Sequence, residues 1–205
     1  MAHVPAAERR PQLVQAAIDL MAREGVPAGS TRAIAAELGV AQATVHYTFG
    51  TKKDLYRAVV EQLMADFIGQ VRAAAPGEGP FGEQVRALVH ALWASTTGEP
   101  GRCILLAELE TLAMRDPGLQ DIMRGLQDEM ERTAAGIITA LAEAHGQPLA
   151  RPAHDIAVHF LAGFDGLCGR YLVLRDAGPA AEAEAVRALD LLVATTVDLC
   201  AAPPA

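Results

Sequence analysis

The sequence predicts an all-α protein: an N-terminal three-helix head, then a C-terminal helical bundle, about nine helices in all. Three observations predict this. Of the 205 residues, 41 are Ala and 23 are Leu, both strong helix formers. Runs of β-branched and aromatic residues, the mark of strands, are sparse. Clusters of Gly and Pro, such as Gly98-Glu99-Pro100-Gly101 and Asp116-Pro117-Gly118, divide the chain into stretches of helical length with apolar residues at three- and four-residue steps.

The first helix is expected over residues 7–24, with Leu13, Ala17, Leu20 and Met21 on one buried stripe and Gly25 placed to end it. Ser30 is a candidate N-cap for a short helix over 31–38, because its hydroxyl can accept a first-turn N–H. Gly39 interrupts, and a second short helix follows over 42–48. Thr51 is a second candidate N-cap, opening a long helix over 52–74 that buries Leu55, Val59, Leu63 and Phe67. Further helices are expected over 81–95, 102–115, 119–144, 152–175 and 179–200, with a loose tail over 201–205.

Charge is unevenly placed. The net charge is −8, which excludes a uniformly basic nucleic-acid coat. Yet the segment through Arg57 holds seven basic against five acidic side chains, a net of +2, which leaves −10 on the rest. Lys52 and Lys53 are adjacent and are the protein's only lysines. A positive head on an acidic body points to a polyanion contact confined to one end. The first eleven residues are polar and contain Arg9 and Arg10, so no secretory signal is expected. No apolar run approaches the roughly 20 residues of a membrane span, and no membrane partner is expected. Cys103, Cys168 and Cys200 are far apart and form no CxxC. This argues against a disulfide framework or thiolate zinc site and fits a reducing cytoplasm.

Residues 31–49 are the informative stretch. Two helices of about two turns are too short to persist alone. Ala35 is small where two helices cross. Gly39, four residues later, suits a turn with positive φ. Val45, six residues further, is a β-branched wedge against Ile34 and Leu38. This spacing is that of a helix-turn-helix, whose second helix enters the DNA major groove.

With its neighbours added, the stretch resembles the TetR family of bacterial transcriptional regulators. Arg32, Ile34, Ala35, Gly39, Val40, Thr44, Val45, Phe49, Lys52 and Leu55 stand at that family's motif positions. The resemblance covers about residues 7–60. The sequence departs from the pattern at Ala41, where a capping serine is frequent, and at His46 and Thr48. The resemblance implies DNA binding by residues 1–50 and ligand sensing with dimerisation by residues 51–205. By position, Gln42, Ala43 and Tyr47 face base edges. Thr44, His46 and Thr48 meet phosphates, Arg32 stands at a motif position of the same interface, and Lys52 clamps a phosphate at a helix N-terminus.

Other patterns are weaker. Residues 77–82 match GxGxxG literally, but contain Pro80 and follow a helix, not a strand, so they read as a linker. His154 and His159 lie on different helix faces with no HExxH or ExxH, so no metal or other cofactor is expected. No nucleophile-elbow or P-loop motif occurs, and no enzyme is expected. The resemblance places an effector pocket in the bundle, with His90, Trp93, Met114, Met130, His159 and Phe164 as candidates. For each of them singly, core is the commoner role of such a residue. An apolar or weakly polar effector is expected, since few basic residues accompany them. Gly163, Gly166 and Gly169 line the eighth helix. The resemblance makes residues 152–175 and 179–200 a homodimer interface; packing within one chain is the alternative reading of these glycines. The reading is thus a repressor released from operator DNA by a small molecule. The alternative is a helical-bundle ligand-binding protein or enzyme without DNA binding.

Overall fold

The computed structural model describes residues 6–73 and 79–201. Ala74, residues 77 and 78 of the expected linker and four residues of the expected tail lie outside them. Among the described residues there are nine α-helices and no strand: α1 (Ala6–Glu24), α2 (Thr31–Leu38), α3 (Gln42–Phe49), α4 (Lys52–Ala73), α5 (Phe81–Gly98), α6 (Pro100–Ala113), α7 (Pro117–Ala144), α8 (Ala153–Leu174) and α9 (Pro179–Cys200). The all-α expectation and the number of helices agree with this.

Two helix starts, those of α6 and α7, differ from expectation for one reason. Pro100, Pro117 and Pro179 each stand at the first position of a helix. Pro179 is the start the sequence predicts; Pro100 and Pro117 fall in the Gly/Pro clusters that read as helix stops. Proline at that position loses no hydrogen bond and has its φ already set. Asp116 accepts the Gly118 N–H at 2.9 Å and so caps α7.

The chain forms two compact units, Met1–Asp66 with Glu99–Leu126 and Phe67–Gly98 with Gln127–Ala205. In the first, Leu13, Ile18, Ile34, Val45, Leu55 and Val59 are fully buried. Leu105 and Leu109 of α6 and Leu119 of α7 join the same core. α6 therefore packs against α1. A Cβ at Gly101 would lie 2.8 Å from the Ala22 carbonyl oxygen, so this close approach requires glycine. The Glu108 carboxylate of α6 accepts the Val26 N–H at 2.7 Å, satisfying a buried donor between α1 and α2.

The second unit centres on Val89, Leu92, Trp93, Phe160, Phe164, Leu189 and Val193. α8 and α9 form its most extensive helix pair. Contrary to the sequence expectation, the segment Ala153–Ala177 has the length and hydropathy of a membrane span. The reason is that α8 is apolar on two faces. Ile156, Phe160 and Phe164 are buried, while Val158, Ala162 and Val173 are exposed.

Candidate nucleic-acid interface and ligand cavity

The head is built by local signals legible in the chain. Ser30 Oγ accepts the Ala33 N–H at 3.1 Å and caps α2. Gly39 ends it in the left-handed conformation, φ 63° and ψ 34°, and the Val40 N–H returns to the Ala35 carbonyl at 2.9 Å. This is how two short helices are joined at a sharp angle. Ala41 offers no side-chain cap to α3. Instead the Gln42 amide donates to Thr31 Oγ1 at 3.1 Å, tying the start of α3 to the start of α2.

Val45 and Phe49 face inward and are buried. Gln42, Ala43, His46 and Tyr47 face outward and are exposed. Tyr47 is 87% exposed, its ring centre 6.2 Å from that of the outward-facing His46. Thr44 and Thr48 are half-buried at the edge of this face, and the Thr48 hydroxyl donates to the Thr44 carbonyl at 2.7 Å.

Thr51 caps α4. Its Oγ1 accepts the Asp54 N–H at 3.1 Å, an N-cap, while its hydroxyl donates to the Asp54 carboxylate. Lys52 and Lys53 then diverge. The Lys52 ammonium is exposed, 5.3 Å from the centre of the Tyr56 ring. Lys53 is engaged with Asp116 at 2.8 Å. Arg32 is exposed on α2. Arg10 lies over the Phe49 ring at 5.7 Å. Ser30 and Thr31, His46 and the Gly50–Lys52 turn together line a cleft of about 300 Å³. The starts of α2 and α4 both border it, and helix N-termini present unpaired N–H groups that favour phosphate.

The second unit holds a partly enclosed cavity of about 100 Å³. It is lined by the half-buried Met130, Thr133, Ala134, Ile137 and Ile138 and the buried Leu141, one stripe of α7. The facing stripe on α5 runs from Phe81 through Val85 and Leu88 to Leu92. Phe67, Phe160, Thr196 and Cys200 contribute from α4, α8 and α9. No charged side chain is among the residues lining it. Burial pushes the Cys200 thiol above its ordinary value, so it is protonated at neutral pH.

Of the six bundle residues singled out in the sequence, Met130 lines this cavity. Trp93 and Phe164 are buried beside it in the core, packed edge to face with ring centres 6.1 Å apart. His90 Nε2 lies 3.0 Å from Asp190 Oδ1, and Arg86 bonds the same carboxylate. His159 is exposed on α8. Met114 is 76% exposed and belongs to the first unit. The aliphatic stripes that form most of the cavity wall were missed. Their spacing of i, i+3, i+4, i+7 was legible, but it marks a buried face without distinguishing core from cavity wall.

Comparison with known proteins agrees with this geometry. Residues 13–59 match the bacterial regulatory proteins of the tetR family, and residues 81–196 match the BetI-type transcriptional repressor C-terminal domain. The chain belongs to the TetR family. This TetR-family protein is a DNA-binding transcriptional regulator of helix-turn-helix type. It is 28% identical over 168 residues to a nicotine-responsive transcriptional repressor of Paenarthrobacter nicotinovorans, covering 80% of this chain and 84% of that protein. Its fold is similar to a TetR-family regulator from a Rhodococcus species, with TM-score 0.77 and 17% identity over 95% of this chain and 100% of that one. It is also similar to a transcriptional regulator of Saccharomonospora viridis solved in complex with choline, with TM-score 0.68 and 21% identity over 94% and 95% of the two chains.

Proposed function

We propose that this regulator is a homodimeric repressor that reads operator DNA through α3 and leaves it when a small molecule enters the bundle. The exposed face of Gln42, Ala43, His46 and Tyr47 carries the reading. On a two-turn helix whose other face is buried, Gln42 ties α3 to Thr31 while Ala43, His46 and Tyr47 project outward from the core, and these residues suit base edges and phosphates. Thr44 and Thr48 border the groove walls. Lys52 and Arg32 flank the cleft at the helix starts and hold phosphates there.

Residues 1–50, with Lys52 just beyond them, thus contact DNA, and the rest of residues 51–205 sense and dimerise. This functional boundary differs from the division by packing, because α6 and the start of α7 share the core of the head. That shared core gives the sensing region a grip on the head. The exposed stripe Val158, Ala162, Gly166, Gly169 and Val173 on α8, with Leu191 on α9, supports the dimer. An exposed apolar face of this kind favours burial against a second copy.

The effector is apolar or weakly polar, in keeping with the uncharged cavity. A nicotine response in one relative and a choline complex in another support small organic effectors in general. The mechanism is a population shift. To move from 1:99 to 99:1 an effector must prefer the released shape by about 5.5 kcal/mol, and operator DNA must weaken effector binding by the same factor. The test is to select operator fragments from a random DNA pool, then titrate effector with and without operator while following Trp93 fluorescence. Effector affinity falls when operator is bound. Equal affinities would remove the effector reading, and an empty selection would remove the operator reading.

A further inference from the structure

The inference rests on the reading of the cavity in the second unit as the effector site, and it names the chemistry of the occupant. Charge decides first. No Asp, Glu, Lys, Arg or His is among the lining residues; Arg86 and His90 of α5 are engaged with Asp190 of α9, and His145, packed edge-on against Phe81, is engaged with Gln84. A charged ligand entering the cavity would lose its water and find no counter-ion. Phenylalanine faces at Phe67, Phe81 and Phe160 attract a cation, but more weakly than its lost hydration.

Size decides next. A cavity of about 150 Å³ lined by apolar side chains receives benzene, and this one is about 100 Å³ and open at one side. One ring or a short alkyl group fits with small side-chain shifts. Polarity decides last. The Thr196 hydroxyl is already used, donating to the Leu192 carbonyl at 2.8 Å. Thr133 lines the same cavity, and its hydroxyl has no intramolecular hydrogen-bond partner among the described residues. It is the lining hydroxyl left with both donor and acceptor free among the described residues, in a wall that is otherwise apolar but for Thr196 and the weakly bonding Cys200 thiol.

We infer that the cavity takes an uncharged, ring-sized hydrophobic molecule with one hydroxyl or carbonyl group, held at that end by Thr133, and that it rejects the ammonium and carboxylate analogues of the same skeleton.

Four probes of nearly one shape test this by calorimetry on the full chain at neutral pH: toluene, benzyl alcohol, benzylammonium and benzoate. Benzyl alcohol binds at least tenfold more tightly than either ion. Thr133→Val lowers benzyl alcohol affinity five- to tenfold, to that of toluene, and leaves toluene unchanged. Ala134→Phe fills the cavity and abolishes binding of both neutral probes; if that variant fails to fold, the isosteric Thr133→Val still decides. The inference is overturned by an ion that binds as tightly as the alcohol, by an alcohol affinity indifferent to Thr133→Val or to a folded Ala134→Phe, or by failure of all four probes to bind. Release of operator DNA is measured separately. Neutral-selective binding without release overturns the effector reading and leaves the cavity chemistry standing.

Discussion

The Lys53 ammonium lies 2.8 Å from the Asp116 carboxylate, across 63 residues of sequence. The same carboxylate oxygen accepts the Gly118 N–H and caps α7. One side chain thus ties the start of α4 to the turn between α6 and α7. It also explains why two adjacent lysines have different roles: Lys53 is held within the fold and Lys52 is not.

The hydrogen bond from Lys53, followed by the backbone bonds from Gly118 and Leu119, holds the Asp116 carboxyl below its ordinary value of 3.8. A depressed folded value adds stability that is present above the unfolded value and lost as pH falls through the folded one. Lys53→Met therefore lowers the melting temperature at neutral pH. The difference from wild type shrinks once the pH drops below about 3.8. Thermal melts across an acid series check this; a difference independent of pH would deny Lys53 the assigned role.

The local part of this architecture was legible in the sequence. Ser30, Gly39 and Thr51 each act through neighbours within five residues, and each is found in the expected role. The share of α6 in the head core was not legible. It depends on Leu105, Leu109 and the bond from Val26 to Glu108, 82 residues apart, and no local pattern encodes such a contact. The candidate ligand residues show a different limit. His90, Trp93 and His159 stand out chemically, yet one pairs with Asp190, one is core and one is exposed. The cavity is lined instead by ordinary aliphatic side chains, whose periodicity is the same for core and for cavity wall.

Glu108 gives a direct measure of that long-range contact. Val26 is buried, so Glu108→Ala leaves its N–H without a protein acceptor. A buried donor left unsatisfied costs about 1–3 kcal/mol. Glu108→Gln keeps an acceptor oxygen and costs less. Urea unfolding of the two variants checks the order, and a loss in the glutamine variant equal to that in alanine would reassign the effect to charge.

Lys52 and Tyr47 separate affinity from specificity. Lys52→Ala weakens binding to all DNA sequences alike and lowers the slope of log affinity against log salt by about one, because one phosphate contact is lost. Tyr47→Ala changes sequence preference and leaves the salt slope nearly as it was. Anisotropy titrations at several salt concentrations, with selected and scrambled duplexes, check both. An unchanged slope for Lys52→Ala would place its ammonium away from the phosphates.

The three glycines of α8 divide by what surrounds them. A Cβ at Gly163 would lie 2.6 Å from Leu192 Cδ1, whereas nothing lies within 4 Å of one at Gly166 or Gly169. Gly163 is thus explained by packing of α8 on α9 within the chain, and the other two are not. Glycine inside a helix costs roughly 0.5–1 kcal/mol relative to alanine, and at Gly166 no close contact among the described residues offsets it. A second copy packed closely on the stripe from Val158 to Val173 would. If so, the two heads meet half-sites about 34 Å apart, or a multiple of that, where the same groove face recurs. Gly166→Leu leaves the fold of each chain intact, as read by circular dichroism, and converts dimer to monomer, as read by light scattering. Gly163→Leu instead lowers the melting temperature, because Leu192 must move. Were the wild type monomeric at micromolar concentration, the dimer itself would fall. Were Gly166→Leu still a dimer, the contact would lie elsewhere, with exposed Leu191 of α9 as the next position to substitute.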